Sequence, residues 1–221
     1  MELSEVMRTT AAVRRFTGDP VPPGVLYRIL DHARFAPSGG NQQGWHVIVV
    51  RDPAVRRRVA ELHVAAFERY AAEQAAGYRA FSVVDPAPPD AAVPDGLPTE
   101  QMLRAVEQAP EVLVVTVELR ALAVLDRDLG RPSIVGGASI YPFVQNILLA
   151  ARDEGLGGAV TTFLVAGEPD AAPLLNLPPG HAIAAMIQLG IPHHQVTRLR
   201  RNPVETFATV DRFDGAALSP G

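Results

Sequence analysis

The sequence predicts a layered domain of helices and strands, in the α/β or α+β class. Two observations support this prediction. Short apolar runs rich in β-branched residues, such as EVLVVTV at 111–117, are typical of buried strands. Segments with apolar residues at helical spacing, or rich in Ala, Glu and Arg, separate these runs. The 221 residues, 48% of them hydrophobic, suffice for one large domain or two small ones, and no internal repeat is visible.

The first predicted helix runs from Val25 to Ala36, and a strand from His46 to Val50 follows it. Apolar residues recur at helical spacing in the first segment, and Pro37 disfavours helical backbone at the residue before it. The second segment is a short apolar run, as expected of a buried strand. Asp52 is predicted to cap a second helix, which extends to about Arg79.

A proline-rich segment, a third helix and further strands complete the prediction. Residues 83–98 contain five prolines in sixteen positions, so we expect a loop that serves as a lid or binding element. A mostly apolar helix is expected from Ser139 to Asp153, ended by the glycines of GLGG at 155–158. AVTTFLV at 159–165 and AIAAMIQLG at 182–190 are predicted to be strands.

Composition and charge exclude several classes of function. The net charge of −4 argues against non-specific nucleic-acid binding. The chain has no cysteine, which removes disulfides, thiolate metal sites and cysteine catalysis. Its six histidines are not spaced as metal ligands, so no metal is expected, and no G-x-S-x-G or P-loop motif is present. The polar start MELSEVMRTT is not a signal peptide and no apolar run could span a bilayer, so we expect a cytoplasmic protein without a membrane partner.

Two features are candidate binding elements. The loop APSGGNQQGW at 36–45 offers hydroxyl, amide and backbone N–H groups, which can both donate to and accept from a planar cofactor. The basic clusters MRTTAAVRRF (7–16) and TRLRRNP (197–203) carry guanidinium groups suited to phosphate recognition. From the residues alone, the loop could equally satisfy its own backbone and the arginines could be solvated surface charges. GLGGAV at 155–160 is not a dinucleotide fingerprint, because the third glycine is missing and the motif follows a helix.

Taken together and in order, the motifs resemble the nitroreductase family of flavin-dependent oxidoreductases. They are VRRFTGDPVP, APSGGNQQGWHVIVVRD, QNILLAARDEGLGGAVTTF, LPPGHAIAAMIQLGIP and RRNPVE, and they cover almost the whole chain. The resemblance implies one α+β domain over residues 1–221, with a central, mostly antiparallel sheet flanked by helices, in an intertwined homodimer. It also implies FMN at the subunit interface, NADH or NADPH as electron donor, and a small acceptor such as a nitroaromatic compound or a quinone.

Basic residues of the family's cofactor site have counterparts at both ends of this chain. Arg14 matches the basic residue that reaches the flavin phosphate or ribityl chain. The family usually has Arg-Arg-Ser or similar just before this position, and Thr10-Ala11-Ala12 departs from that pattern. Arg8 is the candidate substitute for the lost side chains. Arg200 and Arg201 match the C-terminal basic pair that reaches the phosphate.

The loop at 36–45 matches the family loop that packs on the flavin from the partner subunit. Its Pro-Ser-x-x-Asn pattern corresponds to Pro37, Ser38, Gly39 and Asn41. Gln43 and Trp45 match the family's Gln-Pro-Trp, with Gly44 in place of the proline.

The glycines after the third helix match the Gly-Leu-Gly that precedes the backbone facing the flavin N5 atom. Gly157 is the last of these glycines, and Val160, Thr161 and Thr162 occupy the facing segment. The resemblance therefore implies that the backbone of Thr161 and Thr162 steers hydride arrival at N5. No catalytic side chain is expected, because hydride transfer is the chemistry of the cofactor itself.

Alternatives stay open beside an NAD(P)H-dependent reductase. One is a specialised branch of the family, such as a flavin-fragmenting, dehalogenating or metabolite-oxidising enzyme. Another is a storage or sensor protein that binds flavin without turnover. A further alternative is a chain in which the Thr10-Ala11-Ala12 departure abolishes the flavin site. The sequence names neither the acceptor nor the preferred nicotinamide.

Overall fold

An open four-stranded sheet forms the centre of the computed structural model, which describes residues 1–220. The strands are β1 (Trp45–Val49), β2 (Glu111–Glu118), β3 (Gly157–Thr161) and β4 (His181–Gly190). Their order in the sheet is β1-β2-β4-β3, and every neighbouring pair is antiparallel. The α+β class with a central antiparallel sheet is therefore confirmed.

Within residues 1–220, seven α-helices flank this sheet. They are α1 (Leu3–Thr9), α2 (Pro23–Ala33), α3 (Pro53–Ala75), α4 (Thr99–Glu107), α5 (Tyr141–Asp153), α6 (Phe163–Ala166) and α7 (Glu168–Leu174). Prolines in the first turn suit the starts of α2, α3 and α5, where a backbone N–H has no partner within the helix. The Asp52 carboxylate caps α3 by accepting from the backbone N–H groups of Ala54 and Val55, as predicted.

Two apolar cores lie on opposite faces of the sheet, because successive side chains of a strand point in opposite directions. On β2, Leu113 and Val115 pack in the core with α2 and α5. Val112 and Val114 pack on the other side with α3, α4 and α6. β2 and β4 are thus covered on both faces, whereas the last residues of β3, Val160 and Thr161, remain accessible for a site.

The predicted strand at 159–165 is wrong in its second half. β3 ends at Thr161, and the FLVA segment forms α6 instead. A short apolar run fits a buried helix as well as a buried strand, so periodicity alone could not separate them. Helices α1, α4 and α7 were not predicted. Helix α3 ends before the predicted Arg79, because the chain turns at Gly77, whose φ is +86°.

The proline-rich segment at 83–98 contains neither helix nor strand, as predicted. Part of it lies along α3, where Pro88, Pro89 and Val93 line a shallow cavity together with Glu68. Its function as a lid stays a prediction. None of the helices within residues 1–220 combines the length and the apolar character needed to cross a membrane.

Candidate functional site

A cavity of about 360 Å³ lies where β3 ends, between α3, α4 and the segment before Phe16. Its lining includes four of the residues proposed from sequence: Arg14, Val160, Thr161 and Thr162. They come from segments about 145 residues apart, so only the fold brings them together. We call this space the sheet-end cavity.

Close backbone packing against β3 places Arg14 at the sheet-end cavity. The Val13 N–H donates to the Gly158 carbonyl over 2.9 Å, and Ala12 forms a parallel bridge with Gly158. A Cβ atom on Gly157 would lie 2.7 Å from a methyl of Val13. Gly157 is not among the residues that line the cavity. Its lack of a side chain lets the segment that carries Arg14 approach the sheet.

His63 on α3 lines the sheet-end cavity, although the sequence interpretation set all six histidines aside. Only 7% of the residue is exposed, and its Nδ1 atom has no hydrogen-bond partner within residues 1–220. The imidazole meets the edge of the Phe163 ring at a centroid distance of 5.3 Å. Burial, with a smaller contribution from the Arg14 charge, lowers the pKa of His63 to about 4. The site therefore contains a neutral imidazole with an unused nitrogen.

Gln188 and Met102 also line the cavity and were missed from sequence. Gln188 belongs to β4, lies opposite Ala159 of β3, and is buried. Met102 belongs to α4, which was itself not predicted. The available signal for Gln188 was a polar residue inside an apolar pattern: Gln188 interrupts the buried run of β4, just as His63 interrupts the apolar face of α3. Met102 gives no such signal.

A second cavity of about 550 Å³ shares Thr162 and Phe163 with the first. Aromatic rings dominate its wall, from Tyr70, Phe81, Tyr141 and Phe163. No Asp, Glu, Lys or Arg side chain is among its lining residues. This aromatic cavity therefore suits a flat, uncharged ligand.

A buried carboxylate holds Phe81 in place at the aromatic cavity. Glu73 accepts hydrogen bonds from the Phe81 backbone N–H over 2.6 Å and from Arg69 Nε over 2.9 Å. These two contacts lower the pKa of Glu73. Phe81 has a φ of +54°, a left-handed conformation that is unusual for an aromatic residue, so the carboxylate stabilises a strained turn.

The loop proposed to cover a flavin lies away from both cavities. The Ser38 hydroxyl accepts from the Gln43 N–H, and the Gly39 N–H donates to the Ser139 hydroxyl, each over 3.0 Å. Pro37 and Asn41 are exposed. None of the loop residues lines the sheet-end cavity of its own chain.

The backbone of this loop is held in uncommon conformations. Asn41 and Gln43 have φ values of +54° and +49°. Trp45 anchors the end of the loop by stacking on Phe143 at a centroid distance of 4.7 Å. Strained backbone in a loop whose end is held by packing is common at binding sites.

Gly44 occupies a position that has no room for a side chain. A Cβ atom there would lie 2.4 Å from the Cβ of Ala121. The Gly44 carbonyl also accepts from the Glu118 N–H over 2.8 Å. The Leu119–Ala121 turn therefore lies too close to Gly44 to leave room for the proline that the family usually has at this position.

The remaining basic candidates are not gathered at the sheet-end cavity. Arg8 lies exposed in the last turn of α1. Arg200 and Arg201 are exposed in the C-terminal segment, where Arg201 donates to the Arg200 carbonyl over 2.7 Å. The hydroxyl of Thr10, within the segment that departs from the family pattern, donates to the Val6 carbonyl over 2.7 Å. Within one chain, Arg14 alone of these candidates reaches the cavity.

Comparisons with known proteins agree on one family. The model of the nitroreductase family matches residues 7–191. The chain is 32% identical to a 5,6-dimethylbenzimidazole synthase from Rhodobacter capsulatus, over 86% of this chain and 83% of that protein. It is 31% identical to an NADH dehydrogenase from Thermus thermophilus, over 88% of each. Among solved structures, the NADPH:FMN oxidoreductase from Vibrio harveyi complexed with NAD+ superposes with a TM-score of 0.68 at 20% identity, covering 96% of this chain and 77% of that one.

Proposed function

The chain is an enzyme of the nitroreductase family, and we propose that it is an FMN-dependent oxidoreductase that passes electrons from NADH or NADPH to a small acceptor. The observation that carries this proposal is the meeting of Arg14 with Val160, Thr161 and Thr162 at one cavity. These residues were proposed separately for two parts of one cofactor, the phosphate or ribityl chain and the ring. A single bound FMN explains why they line one space.

The residues present fit FMN. The volume of about 360 Å³ falls in the range of ligand pockets, roughly 300–1,000 Å³. Arg14 would hold the phosphate or the ribityl chain, since guanidinium groups bind phosphate oxygens in a planar fork. A ribityl hydroxyl could satisfy the unpaired His63 nitrogen, because a hydroxyl both donates and accepts. The backbone of Thr161 and Thr162 would face N5 of the ring.

The protein's contribution to the reaction is to position the cofactor and to exclude water. FMN, when bound, supplies the hydride chemistry. Arg14 would place its positive charge beside the phosphate or ribityl chain and so hold the cofactor in position. Phe163, Met102 and Val160 form apolar walls that keep water from the reacting atoms. No side-chain acid or base is required.

We propose that two copies of the chain form a homodimer and that each copy completes the site of the other. The loop residues Ser38, Gly39 and Asn41 lie outside the cavity of their own chain, which is expected if they serve the partner. Large apolar side chains are exposed along the chain, which supports an extensive interface. They include Tyr27, Phe35, Leu125, Ile134, Phe207 and Phe213.

The aromatic cavity supports a flat, uncharged acceptor. Its wall of Tyr70, Phe81, Tyr141 and Phe163 offers ring stacking, and it adjoins the sheet-end cavity through Thr162. A nitroaromatic compound or a quinone has this shape and polarity. We therefore propose such a compound as the acceptor.

A second candidate is a specialised enzyme of the same family that modifies a metabolite or the flavin itself. The relative from Rhodobacter capsulatus favours it, because that protein is named a 5,6-dimethylbenzimidazole synthase and is 32% identical to this chain over 197 aligned residues. The two candidates share the flavin site. They differ in whether a nicotinamide is oxidised steadily with external acceptors.

An absorbance spectrum of the purified protein, followed by anaerobic addition of NADPH and then NADH, tests the proposal. Flavin bands that bleach, and return when a quinone is added, are the expected result. Bands that bleach without steady turnover on nitroaromatics or quinones would favour the specialised enzyme. Bands that persist with both donors would indicate storage or sensing. A protein that acquires no flavin bands even with added FMN would contradict the assignment of the sheet-end cavity.

A further inference from the structure

A further cavity, of about 240 Å³, is lined by basic and amide side chains together with Phe16, Ala105 and Ala109, and no carboxylate of residues 1–220 lines it. It lies between α4 and the segment that includes Phe16, and it shares Arg14 and Ala105 with the sheet-end cavity. We call it the basic cleft. Its polar lining consists of Arg14, Arg15, Gln101, Arg104, Gln108 and His193.

The guanidinium groups of the basic cleft are largely free to bind an anion. Neither Arg14 nor Arg15 forms an ion pair with a residue between 1 and 220. Arg104 pairs with Glu100 over 3.0 Å, but the two side chains are 55% and 65% exposed, and such pairs contribute little. Arg14, Arg15 and Arg104 therefore line one cleft in a chain whose net charge is −4. Arginines that were only solvated surface charges would not need to lie so close together.

The walls of the basic cleft are built by backbone pairing. The His193 N–H donates to the Arg15 carbonyl over 3.2 Å, which fixes these two residues beside each other. A Cβ atom on Gly190 would lie 2.9 Å from the Phe16 ring, so the two segments approach closely. Gln101 and Arg104 are three residues apart on α4 and lie on the same side of that helix. Backbone contacts thus fix the Arg15 side of the cleft, and one side of α4 supplies the other wall.

We propose that the basic cleft binds a phosphomonoester and that this group is the 2′-phosphate of NADPH, so that the enzyme prefers NADPH to NADH. This inference rests on the proposed function, because it assigns a docking point for the electron donor of the same flavin site. A phosphomonoester carries between 1.5 and 2 negative charges at neutral pH, roughly, and three acceptor oxygens. Guanidinium forks match these oxygens in pairs.

The size and position of the basic cleft favour the donor. About 240 Å³ is below the usual volume of a whole-ligand pocket, so the cleft fits an end group of a larger molecule. Arg14 lies on the wall between the cleft and the sheet-end cavity, so a donor anchored in the cleft can extend towards the flavin. The 5′-phosphate of FMN has the same chemistry and is the other source of such a group.

Arg104→Gln tests the proposal in the FMN-loaded protein. Arg58→Gln is the matched control, because it also removes one positive charge and an exposed ion pair from a helix. Binding of NADP+ and NAD+ is measured by calorimetry, and flavin bleaching is followed at increasing NADPH and NADH. We expect Arg104→Gln to weaken NADP+ binding and raise the half-saturating NADPH concentration about tenfold, with a much smaller change for NADH. The Arg58 control should keep the wild-type selectivity.

Two further measurements separate the possible failures. Affinities for FMN and for riboflavin are compared in wild type, Arg104→Gln and a second variant, Arg15→Gln. Weaker FMN binding with unchanged riboflavin binding and unchanged nicotinamide selectivity would overturn the donor assignment and give the cleft to the FMN phosphate. Unchanged selectivity and unchanged FMN affinity in both variants would overturn the phosphate site altogether. A wild-type protein that binds no FMN would instead contradict the proposed function.

Discussion

The sheet-end cavity and the loop that carries Ser38 and Asn41 are built in opposite ways. Around the cavity, Arg14, His63 and Thr161 come from three separate elements and are fixed by the core of one chain. The loop leads into β1, at the opposite edge of the sheet from β3, and Asn41 is exposed. The hydrogen bonds of the loop are mostly local, apart from that of Gly39 to Ser139 and that of Glu118 to Gly44. One region is a cavity, and the other is an exposed loop that lines neither the sheet-end cavity nor the aromatic cavity of its own chain.

This difference supports the proposal that the site is divided between copies of the chain. Asn41 and Gln43 have strained φ angles, although water would satisfy their exposed amides equally well in other conformations. The fold of their own chain therefore gains nothing from this strain. A symmetric dimer, in which each surface patch meets the other copy, gives both loops a receiving cavity at once. Mixed dimers and single substitutions on each side test this division.

The largest effect is expected from dimers that combine a cavity variant with a loop variant. Arg14→Glu places a negative charge in the cavity, and Asn41→Asp removes an amide donor while keeping a residue that tolerates φ of +54°. Each homodimer should bind FMN more weakly by about tenfold or more, since Arg14→Glu reverses a charge and Asn41→Asp loses an amide donor. A purified heterodimer should recover one tight FMN site of the two, measured by flavin fluorescence titration.

Recovery in the heterodimer is diagnostic because it requires a wild-type cavity from one copy and a wild-type loop from the other. If both groups acted within a single chain, every subunit of the heterodimer would carry a defect. The heterodimer would then bind FMN no better than the two homodimers, and the division of the site would be disproved. Unmixed wild-type protein carrying both tags is the control.

Gly44→Ala should be the most destabilising small substitution in the loop. The added Cβ would lie 2.4 Å from the Cβ of Ala121, so the Leu119–Ala121 turn must move. We expect a loss of about 3 kcal/mol in the free energy of unfolding, the upper end of overpacking costs. Gly39→Ala is the matched control, because its nearest neighbour is the Ser139 hydroxyl at 3.4 Å. Urea unfolding of the two variants measures the difference, and equal losses would refute the packing argument.

The same contrast explains how far sequence could predict the molecule. Strand periodicity predicted β2 and β4, and the glycines of GLGG correctly marked the end of α5. The resemblance to the family proposed Arg14 and Thr161 for one cofactor, and both residues line the sheet-end cavity. His63 was missed because its importance comes from burial beside Arg14, and that proximity depends on how α3 packs against the sheet. Long-range packing of this kind leaves no local pattern.

His63, which lines the sheet-end cavity, should make the free energy of unfolding depend on pH. An unfolded histidine has a pKa near 6.5, whereas burial and Arg14 lower the pKa of His63 to about 4 in the fold. Between these values the unfolded chain binds more protons, so stability falls as the pH is lowered through this window. The loss from this residue between pH 7.5 and 4.5 is about 2.5 kcal/mol.

Substituting His63 isolates this contribution from that of the carboxylates. In His63→Gln, the free energy of unfolding should fall less between pH 7.5 and 4.5 than in wild type, by about 2.5 kcal/mol. The control is His46→Gln, since His46 is exposed on β1. Urea titrations at the two pH values give the comparison. A His63 variant with the full wild-type loss would show that the imidazole is not held neutral.

Glu73→Gln should have a smaller effect, confined to the aromatic cavity. The amide keeps the shape of the carboxylate but replaces one acceptor oxygen by an NH2 group, which donates and does not accept. The side chain can then no longer accept from both the Phe81 N–H and Arg69. We expect a loss of about 2 kcal/mol in stability, since hydrogen bonds to a buried charge contribute roughly 1.5–3 kcal/mol. Released from this contact, Phe81 should leave its strained turn, and the half-saturating concentration of an aromatic acceptor should rise while FMN affinity stays the same. Glu68→Gln removes the same charge from the same helix and serves as the control. If acceptor saturation and stability matched this control, the Glu73 carboxylate would have no part in shaping the cavity.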